Sequence, residues 1–389
     1  MVTSENTKMN GLERAKQLSK NRGLRAKELR SQGRKIIGYL CSYAPLEFFT
    51  ALDLVPHRIM GSVGEPIIKA DAYLEPIACP FVRSCLDKAL KDDYDFLDGV
   101  VFPHSCDNVQ HLSSIWNYYL KPELYYFLNV PHMTEPSSFE FFKSELTAFK
   151  KYLEDFAGKE LTDQALLEAI KLHNKNRALL RELNALRKQD TPLISGAELL
   201  QTMVATMVLP ADEETGLIES VIEEVKNRPP KDSDEDRPRI MIYGCEIDSP
   251  EFMQMVEDSG ASVVMDDLCT GTRGYWEGVD ETGDPVEAIA NRYLDKLRCP
   301  RTYRVSPGTH EADIANRFEY LKEYAEEFDV NGAILYIIRY CDTQEFDAPD
   351  VRDYLQSIGL PVLHIEDDYT LAGIEGLRTR VQAFVEMIV

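Results

Sequence analysis

Eight cysteines stand singly along this chain, at Cys41, Cys79, Cys85, Cys106, Cys245, Cys269, Cys299 and Cys341. A thiolate is both a nucleophile and a ligand for soft metals. None of the eight belongs to a Cys-x-x-Cys pair, the spacing that a zinc knuckle uses. An iron–sulfur cluster can instead be assembled from single cysteines brought together by different loops. The wide spacing therefore points to a metal centre and favours iron–sulfur over zinc. Free cysteine also behaves as a small buried hydrophobe, and Cys85 and Cys245 are the two expected only to pack.

Other chemistry is thinly represented. His104 lies two residues before Cys106, but residues i and i+2 on an extended chain merely stand side by side, so a Cys–His nucleophilic pair is not favoured. His104 is kept as a weak candidate for proton transfer, and His132 as another, since a lone imidazole more often serves as a hydrogen-bonded structural group. No G-x-x-x-x-G-K-S/T loop occurs, and Thr270-Gly-Thr-Arg-Gly274 lacks the lysine and strand context of one. Any ATP hydrolysis would fall to a partner. No G-x-G-x-x-G follows a strand either, which leaves a dinucleotide site without support.

These residues need a frame. Apolar runs at Lys35–Cys41, Gly99–Cys106 and Leu124–Pro131 have the continuous character of parallel strands covered on both faces, with helical stretches between them. Further runs at Ile240–Cys245, Ser262–Met265, Ala333–Ile338 and Pro361–Ile365 repeat the pattern. The fold class expected is α/β, with two similar flavodoxin-like (Rossmann-like) parallel-sheet domains, a helical insert and an N-terminal helix. The boundaries read as an N-terminal helical segment over 1–34 and a first α/β domain over 35–137. A helical bridge follows over 138–226, with Thr162 as the N-cap of a helix beginning at Asp163. A proline-rich linker over 227–238 leads into a second α/β domain over 239–389.

The halves echo one another. Each has a strand ending in Cys (Cys41, Cys245), then a Cys-Pro pair (Cys79-Pro80, Cys299-Pro300), then a strand ending in Cys-Asp (Cys106-Asp107, Cys341-Asp342). Ligands of open α/β sheets sit beyond the carboxyl ends of the strands, so the thiols are expected to meet in the cleft between the domains.

A net charge of −23 opposes nucleic acid and anionic membranes and otherwise serves solubility. No apolar run reaches the length of a bilayer span, and the polar start lacks the apolar core of a signal peptide. A cytoplasmic protein is expected, in a compartment that keeps thiols reduced.

Seven separated stretches, in order, carry a family likeness. They are IIGYLCSYAPLEFFTALDLVPHRIMG, ACPFVRSCLD, VVFPHSCDNVQHL, DDLCTGTRGYW, DPVEAIANRYLDKLRCP, YIIRYCD and LRTRVQAFVEMI. From about Lys35 to its end the chain resembles the 2-hydroxyacyl-CoA dehydratases and benzoyl-CoA reductases, with the double-cubane-cluster proteins as relatives. By that resemblance Cys79, Cys106 and Cys341 fall at the three cysteinyl ligands of a 4Fe-4S cluster. Cys41, Cys269 and Cys299 lie inside matching motifs, and three further thiolates suit a double-cubane cluster. The resemblance also implies a separate ATP-hydrolysing iron–sulfur activator protein, and either a homodimer or a heterodimer with a paralogous subunit.

The leading expectation is a low-potential reductase that reduces a small-molecule substrate by single-electron steps. The alternatives are a 4Fe-4S subunit of a dehydratase or benzoyl-CoA reductase acting through a ketyl radical, and a non-catalytic electron-storage protein. Gly376 stands where many members carry Gln. Arg378 and Arg380 could bind phosphate or the other domain, or simply pair with carboxylates.

Overall fold

The computed structural model describes residues 10–229, 236–304, 306, 308–370 and 372–389. Half of the linker reading, 230–235, falls outside them. The first sheet contains β1 (Ile36–Tyr39), β2 (Val55–Arg58), β3 (Gly99–Pro103) and β4 (Leu124–Leu128), all parallel, in the order β2-β1-β3-β4. The second contains β5 (Arg239–Gly244), β6 (Ser262–Asp267), β7 (Gly332–Ile338) and β8 (Val362–Asp367), in the order β6-β5-β7-β8. The two orders are the same walk through four strands, so the echo of cysteine landmarks is an echo of topology. The central strands are the apolar runs, buried along nearly their whole length because helices cover both faces.

Strand β2 was not foreseen. Its sequence, Val55-Pro-His-Arg58, has no apolar alternation, and its proline lacks the N–H of an inner ladder. An edge position tolerates that, and β2 is an edge strand. The N-terminal segment also differs from a single surface helix. Two helices, Gly11–Lys20 and Leu24–Ser31, are separated at 21–23 and bury Ala15, Ala26 and Leu29. The break turns Arg22 inward, where its Nη1 donates to Asp248 Oδ2 at 2.8 Å and to the Gly61 carbonyl at 3.1 Å. One arginine thus ties the N-terminus to both halves.

Helices Pro136–Ala157, Asp163–Ala185, Gly196–Thr206 and Ala211–Asn227 connect the sheets. Thr162 caps the second of them, its Oγ1 accepting from the Ala165 N–H at 3.2 Å. Helix Pro285–Asn291 and the π-helical turn Arg292–Lys296 leave the second sheet and pack on the first. There Ile289, Tyr293 and Leu297 share a core with Ile37, Phe48 and Phe149. This crossing carries Cys299 back toward Cys41.

Candidate metal centre

All eight cysteines are free thiols. Cys41, Cys106, Cys245 and Cys341 follow β1, β3, β5 and β7, and Cys269 follows β6, all at the carboxyl edge of their sheets. Cys79 N-caps helix Pro80–Leu90, Cys106 caps Asp107–Leu120, and Cys341 caps the short Asp342–Glu345 turn. Backbone strain accompanies two of these positions, since Cys41 has φ 73° and Tyr340, just before Cys341, has φ 64°. Left-handed backbone at bulky residues persists only where the surroundings enforce it.

The six thiols expected at the centre sort into two sets of three neighbours, with Cys245 close to a member of each, Cys341 and Cys269. Cys79, Cys106 and Cys341 are within electrostatic reach of one another, and so are Cys41, Cys269 and Cys299. Cys106 also feels Cys41, which links the groups. Each group draws cysteines from both halves, two from one and one from the other. Burial, then the neighbouring Cys341 and Cys106, pushes the Cys79 thiol well up. Burial likewise lifts Cys106 to about 12, against the N–H groups of Val109 and Asn108. Cys269 and Cys299 are raised by burial and by each other or Cys41, with Arg273 opposing. Cys341 alone is lowered, chiefly by a hydrogen bond with Cys245.

That bond revises the reading of Cys245. It is buried, as expected, but it sits against Cys341, and its sulfur accepts from the Ile338 N–H at 3.1 Å. Cys85 is fully buried in the core.

Several polar side chains hold the cysteine loops. Asn108 accepts from the Cys79 N–H at 3.0 Å and donates to the Tyr340 carbonyl at 3.4 Å, joining two members of one group across the halves. Ser42 Oγ donates to the Cys269 carbonyl at 2.9 Å, and Tyr43 and Thr302 hydroxyls meet at 2.6 Å, doing the same for the other. Arg273 grips Asp267 with two bonds of 3.0 and 2.9 Å, donates to the Gly244 carbonyl at 2.8 Å, and reaches Cys269 Sγ at 3.5 Å. Arg301 donates to the carbonyls of His104, Val130 and Pro131. Sequence reading passed over Asn108, Arg273 and Arg301. The signal available was a charged or amide residue two to four positions from a cysteine in an otherwise apolar motif.

His104 and His132 stack edge to face with ring centroids 4.9 Å apart. Burial, then Arg301, depresses both, His132 to about 4. No hydrogen bond joins His104 to Cys106 among the described residues. Arg378 lies 3.4 Å from Glu375, and Arg380 donates to the His364 carbonyl at 2.6 Å, so both have local partners.

Among the described residues, no three His, Cys, Asp or Glu converge closely enough to hold a single metal ion. Ligands to different irons of one cluster stand further apart than ligands to one ion. All-sulfur groups of three, desolvated and mutually repelling as thiolates, fit an iron–sulfur group that supplies compensating positive charge. Also among the described residues, no helix is long and apolar enough to cross a membrane.

The chain is similar to several characterised enzyme components. It is 26% identical over 365 residues to the (R)-phenyllactyl-CoA dehydratase beta subunit of Clostridium sporogenes, covering 93% of this chain and 94% of that one. It is 25% identical over 360 residues to one of the subunits of the benzoyl-CoA reductase of Thauera aromatica, covering 91% of each. To the (R)-2-hydroxyglutaryl-CoA dehydratase beta subunit of Acidaminococcus fermentans it is 24% identical over 362 residues, covering 92% and 94%. All three are named as subunits of larger enzymes. The family model for the 2-hydroxyglutaryl-CoA dehydratase D-component matches residues 41–388, and the chain therefore belongs to that enzyme family.

Proposed function

We propose that this protein is the cluster-bearing component of a low-potential reductase, with Cys79, Cys106 and Cys341 holding one cubane and Cys41, Cys269 and Cys299 a second. The observation that carries the reading is the nearness of the six thiols, Cys79 to Cys106 and Cys341 and Cys269 to Cys41 and Cys299, with each set drawn from both halves. The cluster would supply single electrons at low potential and an iron open to substrate.

The chain's own residues contribute positioning. Asn108, Ser42 and the Tyr43–Thr302 pair fix the loops on which the thiols ride. Helix N-termini behind Cys79 and Cys106, and Arg273 beside Cys269, favour thiolate over thiol. The arrangement of two sheets joined through their cysteine loops makes cluster retention and domain alignment one event. Electrons would come from an ATP-hydrolysing partner, since no phosphate-binding loop is present in the sequence. The partner subunit would be a second copy or a paralogue, in keeping with relatives named as subunits.

Anaerobic purification with iron and acid-labile sulfide quantification is the test. The double cubane requires about eight irons per chain, whereas a single 4Fe-4S cluster gives about four. Substituting Cys341→Ser or Cys269→Ser should each lower the iron content and alter the electron paramagnetic resonance spectrum, while Cys85→Ser should leave the cluster spectrum intact. Full iron content in both ligand variants sinks the proposal. A preparation with about four irons, lost only on substitution in the Cys79 group, would instead favour the dehydratase-type subunit.

A further inference from the structure

We propose that the cavity lined by Cys41 and Cys269 is a binding site for a small carboxylate-class anion of a few heavy atoms, held by Arg292 and Arg58. Its connection to reduction rests on the reading of those two cysteines as cluster ligands. Its charge and size do not.

The cavity gives water-sized molecules about 80 Å³, and its lining includes Cys41, Cys269, Arg58, Arg177, Arg292 and Glu214. That space suits a few waters or a small ion, and a coenzyme A thioester is many times too large for it. Three guanidinium groups in one small interior space demand counter-charge, since an unpaired buried ion is costly. Arg177 has it, with Nη2 2.6 Å from Glu47 Oε1. Arg58 has it too, with Nη2 3.3 and 3.1 Å from the two Glu246 carboxylate oxygens, but its Nε is buried with no hydrogen-bond partner.

Arg292 has no carboxylate partner at ion-pair distance among the described residues. It is 1% exposed and donates only to main-chain carbonyls, Gly274 at 2.7 Å and Glu277 at 3.4 Å. Burial, then the Arg177 charge, holds it down near 10, as expected of a cation short of counter-charge. Glu214 offsets the Arg292 charge only in part, because burial pushes its carboxyl up to about 7 against Asn176 and Arg177. Glu47 and Glu277 offset part of the Arg292 charge from further away, and what stays unmet is local: Arg292 has no carboxylate at ion-pair distance among the described residues, and Arg58 Nε has no acceptor. A monoanion with two acceptor oxygens would answer both.

Isothermal titration calorimetry on the anaerobically purified full chain, with iron measured in the same samples, tests this. Acetate should bind at one site, and acetamide, its neutral counterpart of the same shape, should not. Arg292→Gln should weaken acetate binding at least tenfold while circular dichroism stays unchanged. Should that variant not fold, the acetate and acetamide comparison on the unaltered chain decides alone. Equal heats from the two probes, no heat from acetate, or an unweakened, folded Arg292→Gln would each overturn the assignment. Acetate bound by an iron-free but folded preparation keeps the cavity and removes the cluster reading, whereas an iron-loaded preparation that ignores acetate does the reverse.

Discussion

Six thiols gathered in one half-buried region repel one another once ionised, and the two sets meet that repulsion with different devices. Cys79 and Cys106 cap helices of 11 and 14 residues, whose N-terminal N–H groups favour an anion. Cys269 and Cys299 instead face guanidinium groups, Arg273 for both and Arg301 for the latter. Arg273 is the more consequential, since it combines a buried fork on Asp267 with a contact to sulfur. A hydrogen bond to a charged group is worth about 1.5 kcal/mol, and a one-electron couple moves about 59 mV per tenfold change in equilibrium. On the proposed reading, Arg273→Lys keeps the charge but cannot reach Asp267, Gly244 and Cys269 together. It should lower the cluster's midpoint potential by tens of millivolts in a redox titration followed by electron paramagnetic resonance. An unchanged midpoint with full iron would mean that Arg273 only braces the loop.

At the scale of elements, the central strands were legible because continuous apolar runs have few other solutions in a chain of this composition, and Thr162 was legible because its hydroxyl does local work. Strand β2 was not, since an edge strand with Pro56 carries no periodic signal. The contacts within each set of three cysteines were equally hidden. Sequence order places Cys269 and Cys299 far from Cys41, and only the crossing of 285–296 onto the first sheet brings Cys299 back. The family likeness could rank the thiols but gave no contact between them. The loop Asp266–Arg273 is the tightest of the connecting pieces. Asp266 Oδ1 accepts from the Thr272 N–H at 3.0 Å, and a Cβ on Gly271 would lie 1.8 Å from that oxygen. Gly271→Ala must therefore break the cap or shift the turn that follows Cys269. Overpacking of this kind costs about 1–3 kcal/mol, and iron content should fall with it. Gly216→Ala, whose Cβ meets nothing within 4 Å, is the control. A Gly271→Ala protein with wild-type melting temperature and full iron would show that the loop yields freely.

The whole molecule joins its halves through buried ionisable groups, and these fix how stability responds to pH. Burial, then Arg22, holds His57 down to about 3, and burial with Arg177 and Arg292 holds His173 down to about 4 despite Glu47. Each imidazole charges more readily in the unfolded chain, so its contribution is present above about pH 6.5 and is lost as pH falls below it. Glu214 and Glu257 act in the opposite sense. Burial raises both to about 7, so the folded chain holds their protons longer, and stability is lost as pH rises from about 4.5 to 7. Between about 4.5 and 6.5 the two imidazoles and the two carboxyls offset one another, and His104 and His132, also held down by burial, are opposed by Glu246 and Asp367, which burial pushes up, so stability should be nearly level. Below that window the balance breaks. Burial would raise Glu47, but Arg177, His173 and Arg292 outweigh it and hold the carboxyl at about 2. Its contribution is therefore present above pH 4.5 and lost toward pH 2, in the same direction as the imidazoles, while Glu214 and Glu257 are protonated in both states and no longer oppose. Urea midpoints measured anaerobically should thus form a plateau from about pH 4.5 to 6.5 and fall steeply below it. Glu47→Gln should flatten the acid limb and lower the plateau by about 3–5 kcal/mol, because Arg177 is then left buried without its partner. A midpoint that rises on acidification below pH 4.5, or an acid limb unchanged in Glu47→Gln, would show that other groups set the acid limit.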